Sequence, residues 1–184
     1  FCTRKGVIKK TKLEAYSRPR QNGVNAITIR EDDQVIQVRL TTGDSQIIMA
    51  NKHGRAIRFH ESTVREMGRT ATGVRGMTLD ETGDDEVIGM ICIKDPEKET
   101  VMVVSQQGYG KRSEIEDYRI TNRGGKGVKT LNITEKTGNL VAIKSVTDEN
   151  DLVIINKSGI TLRMKVADVR IMGRATQGVR LINL

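Results

Sequence analysis

The chain has 184 residues, with 31 Lys+Arg against 23 Asp+Glu, a net charge of +8, and 36% hydrophobic and 29% charged residues. That apolar share supports a buried core and excludes disorder as the main reading, while no apolar run approaches the roughly 20 residues of a membrane-crossing helix, so a soluble protein is expected. Cys2 and Cys92 have no second cysteine or histidine at metal spacing, which points to neither a disulfide framework nor a zinc site and to reduced, cytosolic thiols. The start at Phe1, with no initiator methionine and no signal region, reads as a cut inside a longer polypeptide.

In chain order, the first element is Val7-Ile8-Lys9-Lys10, placed just after a turn glycine, Gly6. Glu14-Ala15-Tyr16 and the basic loop Ser17-Arg18-Pro19-Arg20 follow, then Gly23-Val24, the apolar segment Ala26 to Ile29, and a further strand pattern at Val35 to Val38. The same order then returns. An apolar run (Ile47 to Ala50) precedes Gly54, the alternating strand Ala56-Ile57-Arg58-Phe59, the loop Met67-Gly68-Arg69, Gly73-Val74 and Met77-Thr78-Leu79. The third copy runs from Val101 to Val104 through Gly108, Glu116-Asp117-Tyr118, the loop Arg119 to Arg123, Gly127-Val128, Leu131-Asn132-Ile133 and Leu140 to Ile143. The fourth runs from Leu152 to Ile155 through Gly159, Ile160 to Met164, Met172-Gly173-Arg174, Gly178-Val179 and Leu181 to Leu184.

The turn glycine and the Gly-Val pair lie 17 residues apart in the first copy and 19 in the other three. Residues 64–75 and 169–180 agree at eight of twelve positions, so odd and even copies carry alternating loop types. About four short strands per fifty residues, with only 2 prolines and many Gly, Asn and Asp turns, is the pattern of propeller-type blades. The expected fold is all-β, one repeat domain over residues 1–184 with blade units near 1–40, 41–93, 94–146 and 147–184.

Charge is segregated by repeat position. The four segments 6–25, 54–75, 108–129 and 159–180 hold 21 Lys+Arg and 7 Asp+Glu, or +14; the other residues carry −6, which returns the overall +8. Equivalent positions of stacked repeats lie side by side, so a basic loop in each copy predicts a continuous basic stripe suited to a row of phosphates. Arginine offers a planar fork to phosphate oxygens, lysine a point charge, and glycine a close backbone approach. The candidate DNA-binding residues are Lys9, Lys10, Arg18, Arg20, Arg55, Arg58, Arg65, Arg69, Arg75, Lys111, Arg112, Arg119, Arg123, Gly124, Gly125, Lys126, Gly127, Lys129, Arg163, Lys165, Arg170, Arg174 and Arg180. Charge reversal at Arg69, Arg123, Lys126 and Arg174 is expected to abolish duplex binding and leave the fold intact. With 3 Tyr, 2 Phe and no Trp, a single-strand stacking platform is disfavoured.

At Gly-Tyr-Gly-Lys-Arg (108–112), Met-Gly-Arg-x-x-x-Gly-Val-Arg (67–75 and 172–180) and Lys-Gly-Val-Ile-Lys-Lys-Thr (5–11), the sequence resembles the C-terminal domain of the gyrase A subunit of type IIA topoisomerases. The likeness covers essentially the whole chain. It implies a β-pinwheel, a propeller-like ring whose blades exchange strands. Thr121 to Gly127 matches five of the seven residues of the family's gyrase A box, Gln-Arg-Arg-Gly-Gly-Lys-Gly, with Thr121 and Asn122 in place of Gln and Arg, and in the third copy rather than the first.

The resemblance further implies duplex DNA as partner, bound and bent on the basic perimeter so that the holoenzyme introduces negative supercoils. It implies no catalytic residue, metal or cofactor in this segment. Cleavage would belong to a tyrosine and magnesium upstream, so Tyr16, Tyr109 and Tyr118 are not that nucleophile, and ATP hydrolysis to the B subunit of an A2B2 assembly in the bacterial cytoplasm. The C-terminal domain of topoisomerase IV is the near alternative; a scaffold for an acidic protein and an enzyme propeller with a central site are the distant ones.

Sharper chemistry is set aside on residue grounds. Gly108 to Ser113 has Ser105 and Arg112 where a Walker A loop needs Gly and Ser/Thr, and so reads as a turn between strands. His53 and His60 bracket a strand and read as surface residues; Asp32-Asp33 and Asp84-Asp85 read as turn acids. Met67 and Met172 are expected to plug space between blades, and Glu14, Glu66, Asp117 and Asp168 to orient neighbouring arginines.

Overall fold

The structure, a computed structural model, describes residues 1–184. The first copy supplies β1 (Cys2–Thr3), β2 (Val7–Ile8) and β3 (Val35–Gln37); the second β4 (Gln46–Asn51), β5 (Arg55–His60), β6 (Val74–Arg75) and β7 (Val87–Ile93). The third supplies β8 (Thr100–Ser105), β9 (Tyr109–Glu114), β10 (Val128–Lys129) and β11 (Leu140–Val146), the fourth β12 (Asp151–Ile155), β13 (Thr161–Lys165) and β14 (Val179–Arg180). They form three four-stranded sheets, β3-β1-β2-β6, β10-β5-β4-β7 and β11-β8-β9-β14, and a two-stranded sheet, β12-β13. No helix is long and apolar enough to cross a membrane.

In each complete sheet one strand comes from the following copy. β6 pairs antiparallel with β2 in the register Ile8↔Val74, β10 with β5 at Ala56↔Val128, and β14 with β9 at Gly110↔Val179. The Gly-Val pair is therefore the joint between repeats. Gly73 has φ +112, and a Cβ there would lie 2.6 Å from the Ile8 carbonyl oxygen, so both the backbone twist and the closeness of the two chains require glycine. The apolar segments that follow, expected as strands at Ala26 to Ile29, Met77 to Leu79, Leu131 to Ile133 and Leu181 to Leu184, are not strands. Their backbone amides turn back instead: Gly76 and Met77 donate to Gly6 O, Thr130 and Leu131 to Gly54 O, and Leu181 and Ile182 to Gly108 O. Met77, Leu131 and Ile182 thereby become buried plugs between sheets.

The core lies between blades, which is why strands such as Ile47 to Ala50 are apolar at every position rather than alternately. Ile47 and Met49 face the first sheet in a cluster with Cys2, Ile8, Phe59 and Met90, while Ile48 and Ala50 face the third in a cluster with Val101, Val103, Tyr118 and Leu140. Each buried Val, Leu, Ile, Met or Phe side chain among them contributes about 1.5–3 kcal/mol. The layer between the third and fourth sheets is thinner, with Met102, Val146, Val166 and Val169 buried. Met67 and Met172, expected as plugs, are only half-buried, and Met77, Met49 and Met90 fill the space instead.

Candidate nucleic-acid interface

The basic residues fall into separate registers counted from the turn glycine. Four residues beyond it stand Lys10, Arg58, Arg112 and Arg163. Arg58 donates to Gln46 Oε1 and to the carbonyls of Ile115 (3.1 Å) and Tyr118 (2.9 Å). Arg112 repeats this with Thr100 Oγ1 (3.0 Å), Val166 O (3.3 Å) and Asp148 (2.8 Å), and Lys10 Nζ reaches Glu61 O at 3.0 Å. Glu61, Ile115 and Val166 each begin a 3-10 turn, at Glu61–Thr63, Ile115–Asp117 and Val166–Asp168. This register is a staple from one blade to the next. Arg163 pairs with Asp151 instead, and its side chain is 75% exposed.

Three residues beyond the turn glycine stand Lys9 and Lys111, which point into the protein. Lys9 Nζ donates to Ala26 O at 2.6 Å and to Arg69 O, and Lys111 Nζ to Gly173 O (2.9 Å), Arg174 O and Thr176 O (2.9 Å). Burial and the Arg174 guanidinium pull the Lys111 ammonium down to about 8, while three carbonyls supply acceptors for its charged form. Lys9, Arg58, Lys111 and Arg112 are 2%, 4%, 0% and 3% exposed, which corrects their reading as phosphate contacts: their donors are spent on protein carbonyls and side chains inside blade junctions. The same geometry removes any phosphate-loop reading of Gly108 to Ser113, most of which is β9.

The loop arginines Arg69, Arg123 and Arg174 form a third register, and each is half-buried. Arg123 donates to Thr63 O (2.9 Å) and Arg75 O (3.0 Å), Arg174 to Asp117 O (3.0 Å) and Lys129 O (2.6 Å), and Arg69 to Asn25 O (2.9 Å). Asn25, Arg75 and Lys129 are equivalent positions, two residues past the Gly of Gly-Val, so each loop is fastened to the one before it. Their partners are carbonyls, so the charges stay unneutralised. The acids expected to orient them do not do so with their carboxylates: Glu66 pairs with Lys12 at 3.7 Å, and Asp117 offers its carbonyl.

Arg18, Arg20, Arg65, Arg75, Arg119, Lys126, Lys129, Lys165 and Arg170 are exposed, and their side chains have no hydrogen-bond or ion-pair partner. Arg65, Arg119 and Arg170 are equivalent, eleven residues past the turn glycine; Arg75, Lys129 and Arg180 are equivalent, each the last residue of an exchanged strand. Arg180 lies over the Tyr109 ring at 5.4 Å, and Arg55 donates to Gly127 O at 3.0 Å. Copies two to four thus each present three cations in register around fastened loops.

The third loop also borders a cleft of about 450 Å³ lined by Arg119, Asn122, Arg123, Gly125 and Lys126. The Gly124 amide is committed to Gly76 O at 2.7 Å, whereas the backbone N–H groups of Gly125, Lys126 and Gly127 have no protein acceptor. Gly127, φ +78, serves the strand joint. A larger cavity of about 610 Å³ is bordered by Phe1, Leu13, Tyr16, Val38 and Leu40.

His53 and His60 are half-buried and each meets a carboxylate, Asp80 and Asp44. Burial lowers the His53 pKa, but hydrogen bonding to Asp80 and the charge of Asp85 outweigh it, so the net direction is up; Asp80, bonded to Thr82 and His53, is held down to about 2.

The family model described as "DNA gyrase C-terminal domain, beta-propeller" matches residues 1–42, 45–94, 99–147 and 150–184. The DNA gyrase A subunit of Staphylococcus aureus (strain MRSA252) is 50% identical over all 184 residues, and the chain spans 20% of that relative's length. Among solved structures, the C-terminal domain of DNA topoisomerase IV superposes with a TM-score of 0.92 at 28% identity, over 100% of this chain and 56% of that one. A DNA gyrase A C-terminal domain gives 0.88 at 26% identity, over 100% of this chain and 60% of that one.

Proposed function

Because the chain belongs to the DNA gyrase C-terminal domain, beta-propeller family, we propose that it binds duplex DNA along its basic perimeter and bends it. The observation that carries this reading is the threefold register of exposed cations (Arg65, Arg119, Arg170; Arg75, Lys129, Arg180) around loop arginines fastened blade to blade. A row of charges held on a curved scaffold touches successive phosphates, which gives affinity without sequence preference. Engaging about eight phosphates produces a log-log salt slope near −7. Bending a 20–30 base-pair site by 40–90° costs of the order of 1–6 kcal/mol, and the curved cation row offsets it.

In the parent protein this segment wraps DNA for strand passage by the gyrase A polypeptide with its B partner, in the bacterial cytoplasm as an A2B2 assembly. It does no bond chemistry itself: ATP and magnesium act elsewhere in that assembly. The closer superposition on a topoisomerase IV domain favours a second reading, a sensor of DNA crossings without strong wrapping; the half-identical gyrase A relative and the box-like Arg123 to Gly127 favour the first. Titration of a labelled duplex at several salt concentrations tests the reading: steep salt dependence supports it, and no binding at low salt overturns it.

A further inference from the structure

The two loop types alternate, and so does one buried position. Three residues beyond the turn glycine the copies carry Lys9, Ile57, Lys111 and Leu162. Lys9 faces the Met67-Gly68-Arg69 loop and Lys111 the Met172-Gly173-Arg174 loop, whereas Ile57 faces Asn122-Arg123-Gly124-Gly125. The correspondence follows the contacts. The loop of residues 172–177 arches so that the carbonyls of Gly173, Arg174 and Thr176, with Thr176 Oγ1 at 3.1 Å, converge on one ammonium. Converging carbonyl dipoles repel one another and hold this shape only around a cation. The loop of residues 121–126 makes no such cage: a Cβ at Gly125 would stand 3.4 Å from Ile57 Cδ1, and Thr78 and Gly76 take up the Gly124 and Gly125 backbone groups.

We propose that Lys9 and Lys111 are positioning residues that set the shape of the DNA-facing loop on the following blade, and that lysine or an apolar residue at this position is the code matching each blade to its loop. The proposal rests on the DNA-binding reading for its functional half. Neither ammonium has a carboxylate ion-pair partner: the charged groups facing Lys111 are Arg174 and the exposed Asp117, and those facing Lys9 are Arg69 and the Phe1 amino group, with the Phe1 ring 5.5 Å away. Both lysines therefore also place positive charge beneath the stripe. Releasing the 172–177 loop frees Arg174 from Asp117 O and Lys129 O, so the cations beside it lose their common frame.

The test combines hydrogen exchange with duplex affinity. In Lys111→Met, amides of residues 172–177 lose protection while those of 121–126 keep theirs, and duplex binding weakens about tenfold, the size of one charge-assisted contact. A second variant, Lys111→Ile with Met172→Thr, Gly173→Asn, Ala175→Gly, Thr176→Gly and Gln177→Lys, carries the third-copy loop and recovers both protection and affinity. The same five loop changes with Lys111 kept do not.

Unchanged exchange at 172–177 in a folded Lys111→Met overturns the proposal. If Lys111→Met does not fold, the transplants decide: a loop indifferent to Lys or Ile at 111 overturns it, and one that needs Ile supports it. If the natural chain binds no duplex, the DNA-binding reading falls, while the exchange result still judges the lysine.

Discussion

The guanidinium of Arg58 donates to the carbonyl of Ile115 across 3.1 Å, tying β5 to the first residue of the next repeat's 3-10 turn. Arg112 makes the equivalent reach to Val166. Replacing Arg58 with Met leaves the Ile115 and Tyr118 carbonyls and Gln46 without their donor inside a closed junction. The expected loss is about 3 kcal/mol, read as a lower denaturation midpoint, with duplex affinity of the folded fraction little changed.

The cations that remain free give the opposite phenotype. Arg65→Glu, Arg119→Glu and Arg170→Glu together keep the melting temperature and weaken duplex binding by about a hundredfold or more, with a salt slope shallower by about 0.9 for each phosphate no longer engaged. Reversal at Arg69, Arg123 and Arg174 is not fold-neutral as residue type alone suggests, because each also breaks a loop-to-loop brace. Those variants lower stability and affinity together.

Strand exchange rests on the Gly-Val joints. Gly73→Ala puts a methyl group against the Ile8 carbonyl at a φ of +112 and separates β6 from β2. A loss of about 1–3 kcal/mol or more is expected, together with faster exchange at the Val74 and Arg75 amides. Gly83→Ala, at φ +78 in open surroundings, carries only the backbone strain and serves as the comparison.

The His53–Asp80 pair makes stability depend on pH. A folded-state pKa raised above the ordinary histidine value gives a contribution fully present below about pH 6.5 and lost as pH rises through the higher folded value. Asp80, held to about 2, stays ionised throughout that window. The stability gap between the natural chain and His53→Gln is therefore larger at about pH 5.5 than at about pH 9, and it is small because the pair is partly exposed. A gap that widens with rising pH contradicts this.

The repeat was legible because its markers answer to backbone geometry: the turn and joint glycines need positive φ, and no other residue supplies it as cheaply. Lys9 and the pair Lys111-Arg112 depart from the sequence expectation for a physical reason. In a half-buried strand a cation marks the wet face, but β9 is covered on both faces by neighbouring blades, so both members of the pair are inside. A signal was present, since a cation four residues past the turn glycine persists in every copy while the loops change. The exchanged strands were harder to see: Val74-Arg75 and its equivalents are only two residues long, and their partners lie in another repeat.

In the proposed mechanism, fastened loops carry a curved row of cations that wraps duplex DNA. The most direct measurement relaxes a nicked circle with the protein bound, seals it with ligase, and reads the linking-number distribution at low and moderate salt. The predicted result is a shift that grows with protein, fades with salt, and disappears in the Arg65/Arg119/Arg170 charge-reversal variant. Tight binding with no shift in linking number at any salt contradicts it.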